Sequence, residues 1–212
     1  MGDLVYEIGD SLYVNLTNRC VNDCAFCIRR TGPGVAGSTL WLDEEPPARD
    51  YVRAIGDPGR YREIVFCGYG EPLLRAAELA EIAGEVRRRS TTPIRVNTNG
   101  QADLFLGRDV LPELLGLVDV FSISLNAQDN ATYQEVSRPA FGDKAYPAVI
   151  EFARRAVRQF PRVVLTVVRV PGVDVEACRK IAADIGAEFR VREYIDSGDR
   201  YLEDSGRPES GG

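Results

Sequence analysis

Between residues 12 and 194 the chain alternates short runs patterned for strands with longer runs patterned for helices. Residues 12–18 (LYVNLTN), 94–99 (IRVNTN), 120–126 (VFSISLN), 163–170 (VVLTVVRV) and 189–194 (FRVREY) alternate polar and apolar side chains. That is the period of a strand with unlike faces. Residues 64–67 (IVFC) are apolar throughout, as expected of a strand covered on both faces. Tyr146, Val149, Ile150, Ala153, Ala156, Val157 and Phe160 recur at intervals of three and four, and so do Val175, Cys178, Ile181, Ala182 and Ile185, with Gly186 as a stop. Leu74, Leu79, Ile82 and Val86 mark another helix, opened by Pro72. Residues 52–55 and 110–118 are weaker helical stretches. Six strands at roughly 30-residue intervals point to parallel βαβ units.

The alternation also predicts a shape. One parity of each patterned strand is polar: Tyr13, Asn15 and Thr17; Arg95, Asn97 and Asn99; Ser122, Ser124 and Asn126; Arg190 and Arg192. Helices on both faces of a flat sheet would bury these groups without partners, at about 1–3 kcal/mol each. A curved, partly closed sheet with a wet, ligand-filled lumen avoids that cost. The competing reading is that the polar ends fray into loops.

Composition narrows the chemistry. The chain has 212 residues, short of the ~250 of a complete eight-fold barrel. Acidic residues outnumber basic ones 32 to 26, for a net charge of −6, so no global basic field favours nucleic acid. No apolar run reaches the ~18 residues of a membrane span, and the acidic N-terminal segment does not read as a signal peptide. The expectation is a soluble, cytoplasmic protein with a core over residues 1–196 and a disordered tail over 197–212, rich in Gly, Ser, Asp and Glu. There is no histidine, which removes His-based triads, His-ligated metals and His acid–base chemistry.

Five cysteines remain: Cys20, Cys24, Cys27, Cys67 and Cys178. An odd number without an export signal does not suggest a disulfide scaffold. The run Cys20-Val-Asn-Asp-Cys24-Ala-Phe-Cys27 directly follows a strand. Three thiolates this close repel one another unless a metal neutralises them. Structural zinc needs a fourth ligand from Cys67, Cys178 or a carboxylate. A Cys24–Cys27 redox pair leaves Cys20 unexplained. An iron–sulfur cubane on three thiolates leaves one iron open to an exogenous molecule.

The C-x3-C-x2-C run after the first strand resembles the radical S-adenosylmethionine (radical SAM) superfamily. The resemblance runs through residues 12–194 and implies a partial (β/α)6 TIM-like barrel of parallel strands with an open, polar lumen. It implies a [4Fe-4S] cluster on Cys20, Cys24 and Cys27, with the open iron chelated by S-adenosylmethionine. Reductive cleavage would then yield a 5′-deoxyadenosyl radical that abstracts hydrogen from substrate. Phe26 takes the family's position beside the adenine. Cys67-Gly68-Tyr69-Gly70-Glu71-Pro72 resembles the Gly-Gly-Glu-Pro segment, departing from it by Tyr69. This implies that Gly68, Gly70 and Glu71 meet the cofactor's ammonium. By the same resemblance Asn97 lies near the amino group, and Ser124 and Asn126 near the carboxylate or ribose. Residues 168–172 (VRVPG) and 192–195 (REYI) resemble the strands flanking the adenine. Residues 12–30 and 40–46 (LWLDEEP) resemble the TatD-linked radical SAM proteins, which implies a functional link to a TatD-like hydrolase. A low-potential flavodoxin or ferredoxin would supply the electron. Cys178 reads as core.

Three activities fit these residues: a radical SAM enzyme on a small or medium substrate, an activase that makes a glycyl radical on a partner protein, and a non-catalytic iron–sulfur electron carrier. The last does not require the segment 68–71 or the polar strand ends. Arg95, Arg190 and Arg192 share the lumen parity, and a buried guanidinium needs a counter-charge. Either internal carboxylates or an anionic substrate group would provide it. Glu193 cannot, because it has the opposite parity.

Overall fold

A computed structural model describes residues 2–30 and 34–194. The expected tail over 197–212 lies outside the described residues.

The strands form one seven-stranded sheet in the order β1-β2-β5-β6-β7-β8-β9. Its members are β1 (Val5–Ile8), β2 (Ser11–Val14), β5 (Glu63–Phe66), β6 (Ile94–Thr98), β7 (Val120–Ser124), β8 (Arg162–Arg169) and β9 (Glu188–Glu193). The pairs from β2 to β9 are all parallel, and β1 adds an antiparallel edge. β3 (Gly34–Val35) and β4 (Ser38–Thr39) make a separate hairpin. The helices are α1 (Ala48–Ile55), α2 (Ala76–Arg89), α3 (Ala102–Leu106), α4 (Asn130–Ser137), α5 (Ala145–Gln159) and α6 (Val175–Ile185).

The six expected strands are all present, and they form a partial barrel rather than a closed one. β1 and β9 are the two ends of the sheet order, so the sheet stays open.

The apolar parity packs outward against the helices. Phe121 on β7 makes edge contacts with Phe152 of α5 (5.8 Å) and with Phe160 (4.7 Å). Burying such a ring contributes about 1.5–3 kcal/mol. The α5 stripe Val149, Phe152, Ala153 and Ala156 is buried, as its spacing predicts. Cys178 is buried within α6. The Asp174 carboxylate caps that helix by accepting from the Ala177 amide at 3.0 Å, and Gly186 ends it in the left-handed region.

Several expectations are corrected. Pro72 opens a short 3-10 turn (Pro72–Arg75) before α2 begins, and residues 110–118 hold only the 3-10 turn Leu111–Leu114. β1, α3 and α4 have no counterpart in the sequence reading. The strand expected over 12–18 stops at Val14, because the following side chains bind residues 40–45 instead of a neighbouring strand. Asn15 Nδ2 donates to the carbonyls of Leu40 (2.8 Å) and Asp3 (3.1 Å), and the Thr17 hydroxyl donates to Glu45. Asn18 and Leu42 exchange two hydrogen bonds. Asn15 and Thr17 are therefore anchors for a strap over residues 40–46, not lumen groups.

Candidate cofactor site

The loop that follows β2 lies at the C-terminal end of the parallel strands, where backbone groups leave the sheet ladder and side chains converge. Cys20, Cys24 and Cys27 are half-buried in this loop and unbridged. N–H groups approach two of the sulfurs: Asn22 N and Asn99 Nδ2 reach Cys20 Sγ (3.4 and 3.7 Å), and Arg29 Nε reaches Cys27 Sγ (3.3 Å). The Ser137 side chain hydrogen-bonds Cys24. Burial pushes the Cys24 thiol up to about 12, and the nearby Cys20 and Cys27 push it the same way. Burial also raises Cys20, with the Glu71 carboxylate adding to the effect. Cationic metal would reverse both pressures.

Among the described residues no three Cys, Asp or Glu side chains converge as the ligands of one metal ion would. A cubane gives each thiolate a different iron, so the sulfurs stand apart. Three thiols with N–H donors near them fit such a cluster. Cys67 lies outside the loop, facing the lumen, where its thiol hydrogen-bonds Asn97.

A buried polar network sets the loop's position, and the sequence reading missed it. Gln101 Nε2 donates to Asn22 Oδ1 (2.8 Å) and to the Tyr133 hydroxyl (2.9 Å), and Asn22 Nδ2 donates to the same hydroxyl (3.0 Å). Asn126 Nδ2 donates to Ser137 Oγ at 3.1 Å. The network joins the cysteine loop to the ends of β6 and β7 and to α4. These residues are spread over 115 positions with no common motif, so no sequence signal could have gathered them.

Segment 67–72 packs directly under the loop. A Cβ on Gly68 would overlap the Asn15 side chain, and one on Gly70 would overlap the carbonyl oxygens of Thr17 and Arg19. Both glycines thus have a packing requirement of their own. Glu71 is buried, and its carboxylate is held by the chain: Oε1 accepts from Leu73 N (3.0 Å) and Thr98 Oγ1 (2.7 Å), and Oε2 from Asn99 N (2.6 Å). Its role in the chain is to stitch this segment to the end of β6.

Burial outweighs those three donors and raises the Glu71 carboxyl to about 7. The sign follows from linkage. With its pKa raised above the unfolded value of about 4.3, the folded protein holds the extra proton between them, so stability falls as pH rises through that interval. With no histidine in the chain, other side chains ordinarily titrate outside it. The metal-free protein is expected to lose about 3 kcal/mol of unfolding free energy between pH 5 and 8. Urea unfolding at stepped pH should show this, and Glu71→Gln should flatten the dependence. A wild-type stability that rises over the interval would refute the assignment.

The remaining expected contacts line the same end of the lumen. Asn97 is half-buried and its Oδ1 accepts from Arg95 Nη1 at 2.9 Å. Ser124 is half-buried at the end of β7. Asn126 is buried in the left-handed region (φ 62°), and its Oδ1 is shielded from water with no hydrogen-bond partner. Beside the cysteine loop, Phe26, Val136, Arg169, Pro171 and Tyr194 line a cleft of about 390 Å³. A second depression, of about 400 Å³, lies away from the loop, around Leu4, Pro46 and Asp50.

The parallel strands thus form an open barrel with a three-thiol loop at their C-terminal ends. The radical SAM superfamily profile matches residues 14–185, and the chain belongs to that superfamily. Its domain is that of an enzyme, and the family generally uses a [4Fe-4S] cluster and S-adenosylmethionine. Similar solved structures include Streptococcus suis SuiB (TM-score 0.62, 15% identity, 89% of this chain and 40% of that one). A radical SAM methyltransferase from Sphaerobacter thermophilus gives 0.56 and 17%, over 89% and 68%. AnSMEcpe with bound AdoMet gives 0.61 and 13%, over 87% and 52%. At these identities the likeness is one of fold, and the chain spans less than two thirds of SuiB and of anSMEcpe. No curated protein matches it. Among the described residues no helix is long and apolar enough to cross a membrane.

Proposed function

We propose that the protein binds a [4Fe-4S] cluster on Cys20, Cys24 and Cys27 and S-adenosylmethionine beside it, and acts as a radical SAM enzyme on an unidentified substrate. Bound together, the two groups supply a hydrogen-abstracting radical by one-electron reduction of the sulfonium. The observation that carries the reading is the placement of the three thiols next to the Phe26 cleft at the strand ends.

The chain's own residues then divide the work. The N–H groups of Asn22 and Asn99 and the Arg29 guanidinium favour the deprotonated sulfurs. Phe26 offers a face to the adenine. The unmatched Asn126 Oδ1 is an acceptor, which suits a ribose hydroxyl better than a carboxylate. Gly68, Gly70 and Glu71 form the wall toward the ammonium, and Asn97 and Ser124 complete the polar side. A flavodoxin or ferredoxin is the proposed reductant. The resemblance of residues 12–30 and 40–46 to the TatD-linked group supports a link to a TatD-like hydrolase.

Anaerobic reconstitution followed by reduction should yield 5′-deoxyadenosine from S-adenosylmethionine; its absence with an intact cluster would sink the proposal. In calorimetry Asn126→Ala should weaken S-adenosylmethionine about tenfold while the cluster absorption is retained. Unchanged affinity would remove Asn126 from the cofactor site.

A further inference from the structure

Four arginines share the lumen face, and they fall into two layers. Arg95 and Arg162 occupy one register row near the bottom, running Val65, Arg95, Val120, Arg162 across β5 to β8. Both are answered by the chain. Arg95 forks onto Glu63 (Nε–Oε2 3.0 Å, Nη2–Oε1 2.8 Å), and Arg162 forks onto Glu188 (2.8 and 2.6 Å). Of the two counter-charges the sequence left open, Arg95 thus has the internal carboxylate.

The upper layer is different. Arg190 lies in the row Ser124, Thr166, Arg190, and Arg192 pairs with Val168 one step nearer the mouth. Among the described residues neither has a carboxylate within ion-pair distance, while Glu193, of opposite parity, is taken by Arg169 (3.0 Å). Arg192 Nε is shielded from water and has no acceptor. By register Arg192 lies on the face shared by Arg95, Ser124 and Arg190, the face that lines the lumen. A guanidinium is a fixed fork of donors that matches a carboxylate or phosphate. Arg190 is exposed on the edge strand and Arg192 half-buried, so with the lower arginines neutralised the unmatched charge of this face sits on β9, from the level of the Ser124 strand end upward.

We propose that Arg190 and Arg192 form an oxyanion subsite at the lumen mouth that holds a carboxylate or phosphate group of the substrate. The inference rests on the radical SAM reading and names the substrate class for that same site. The guanidiniums would anchor the anionic group on β9, so that the rest of the substrate spans toward the cysteine loop.

The test titrates glutarate, glycerol phosphate and neutral glycerol into the anaerobically reconstituted protein saturated with S-adenosylmethionine, by calorimetry at low salt. One or both anions should bind saturably and glycerol should not, and the preferred anion identifies the group. Arg192→Gln and Arg190→Gln should each weaken that anion about tenfold or more, with S-adenosylmethionine affinity unchanged. Arg192→Lys should recover part of the loss, and Arg158→Gln, on the exposed side of α5, should lose nothing. Equal anion affinity in wild type and both glutamine variants would overturn the subsite. So would a loss of S-adenosylmethionine affinity in place of anion affinity. Anion binding that emerges only when Asp196, Asp199, Glu203 and Asp204 are neutralised together would assign the arginines to the chain's own terminal segment and also overturn it. Cluster absorption and the S-adenosylmethionine titration report the underlying reading separately.

Discussion

Alanine at Cys20, Cys24 or Cys27 is expected to abolish the visible absorption of the anaerobically reconstituted protein, and with it reductive cleavage of S-adenosylmethionine. The loss should be complete rather than graded. Each thiolate would hold a different iron, so losing one leaves that iron without its protein ligand. Cys67→Ala and Cys178→Ala should keep the full absorption, because Cys67 faces the lumen beside Asn97 and Cys178 is enclosed in α6. An intact cluster in Cys24→Ala, or its loss in Cys67→Ala alone, would show the ligand set to be wrong. Iron and sulfide content measured beside the absorption separates a lost cluster from an altered spectrum.

Gly70→Ala should have the next largest effect, through the backbone. The added methyl would overlap the carbonyl oxygens of Thr17 and Arg19, which are main-chain atoms and cannot rotate away. The Glu71 amide donates to that same Arg19 carbonyl at 2.8 Å. Relief therefore requires segment 67–72 and the approach to Cys20 to separate. A cost of about 3 kcal/mol is expected, at the upper end for overpacking, with poor cluster retention. Gly107→Ala is the comparison. Gly107 has a positive φ (66°), which Gly70 does not, yet a Cβ there meets nothing within 4 Å. It should cost only about 1–2 kcal/mol and leave the cluster untouched. If the two variants unfold at the same urea concentration, the close approach under the cysteine loop is not a constraint.

The positions of the strands were legible because a period of two survives any tertiary arrangement. β6, β7, β8 and β9 begin and end within two residues of the runs read from the sequence. β2 was overextended for a definite reason. Asn15 and Thr17 continue the alternation, but their side chains are taken by Leu40, Asp3 and Glu45, and a period carries no record of its partner. α4 was missed because NATYQEVS has a weak apolar stripe. The helix is defined instead by the Asp129 cap, which accepts from Thr132 N at 2.8 Å, and by the buried hydrogen bonds of Tyr133. The cysteine loop was legible because its ligands are adjacent in sequence. Its support was not: Asn22, Gln101 and Tyr133 meet only once β6 and α4 have been brought against the loop.

The sequence by itself determined the βαβ alternation, the polar face of the strands and the three-thiol loop, since each depends on residues within one turn or one strand of one another. The tertiary structure decided which polar groups on that face are satisfied. Arg95 and Arg190 have the same parity, yet one meets Glu63 across neighbouring strands and the other meets no carboxylate among the described residues. Glu71 was recognisable by its motif, and the fold turned its carboxylate onto Leu73, Thr98 and Asn99. The physical reason is common to both. Parity fixes the face to which a side chain belongs, whereas a counter-charge or donor within 3 Å depends on strand register and sheet curvature, set by contacts distant in the chain.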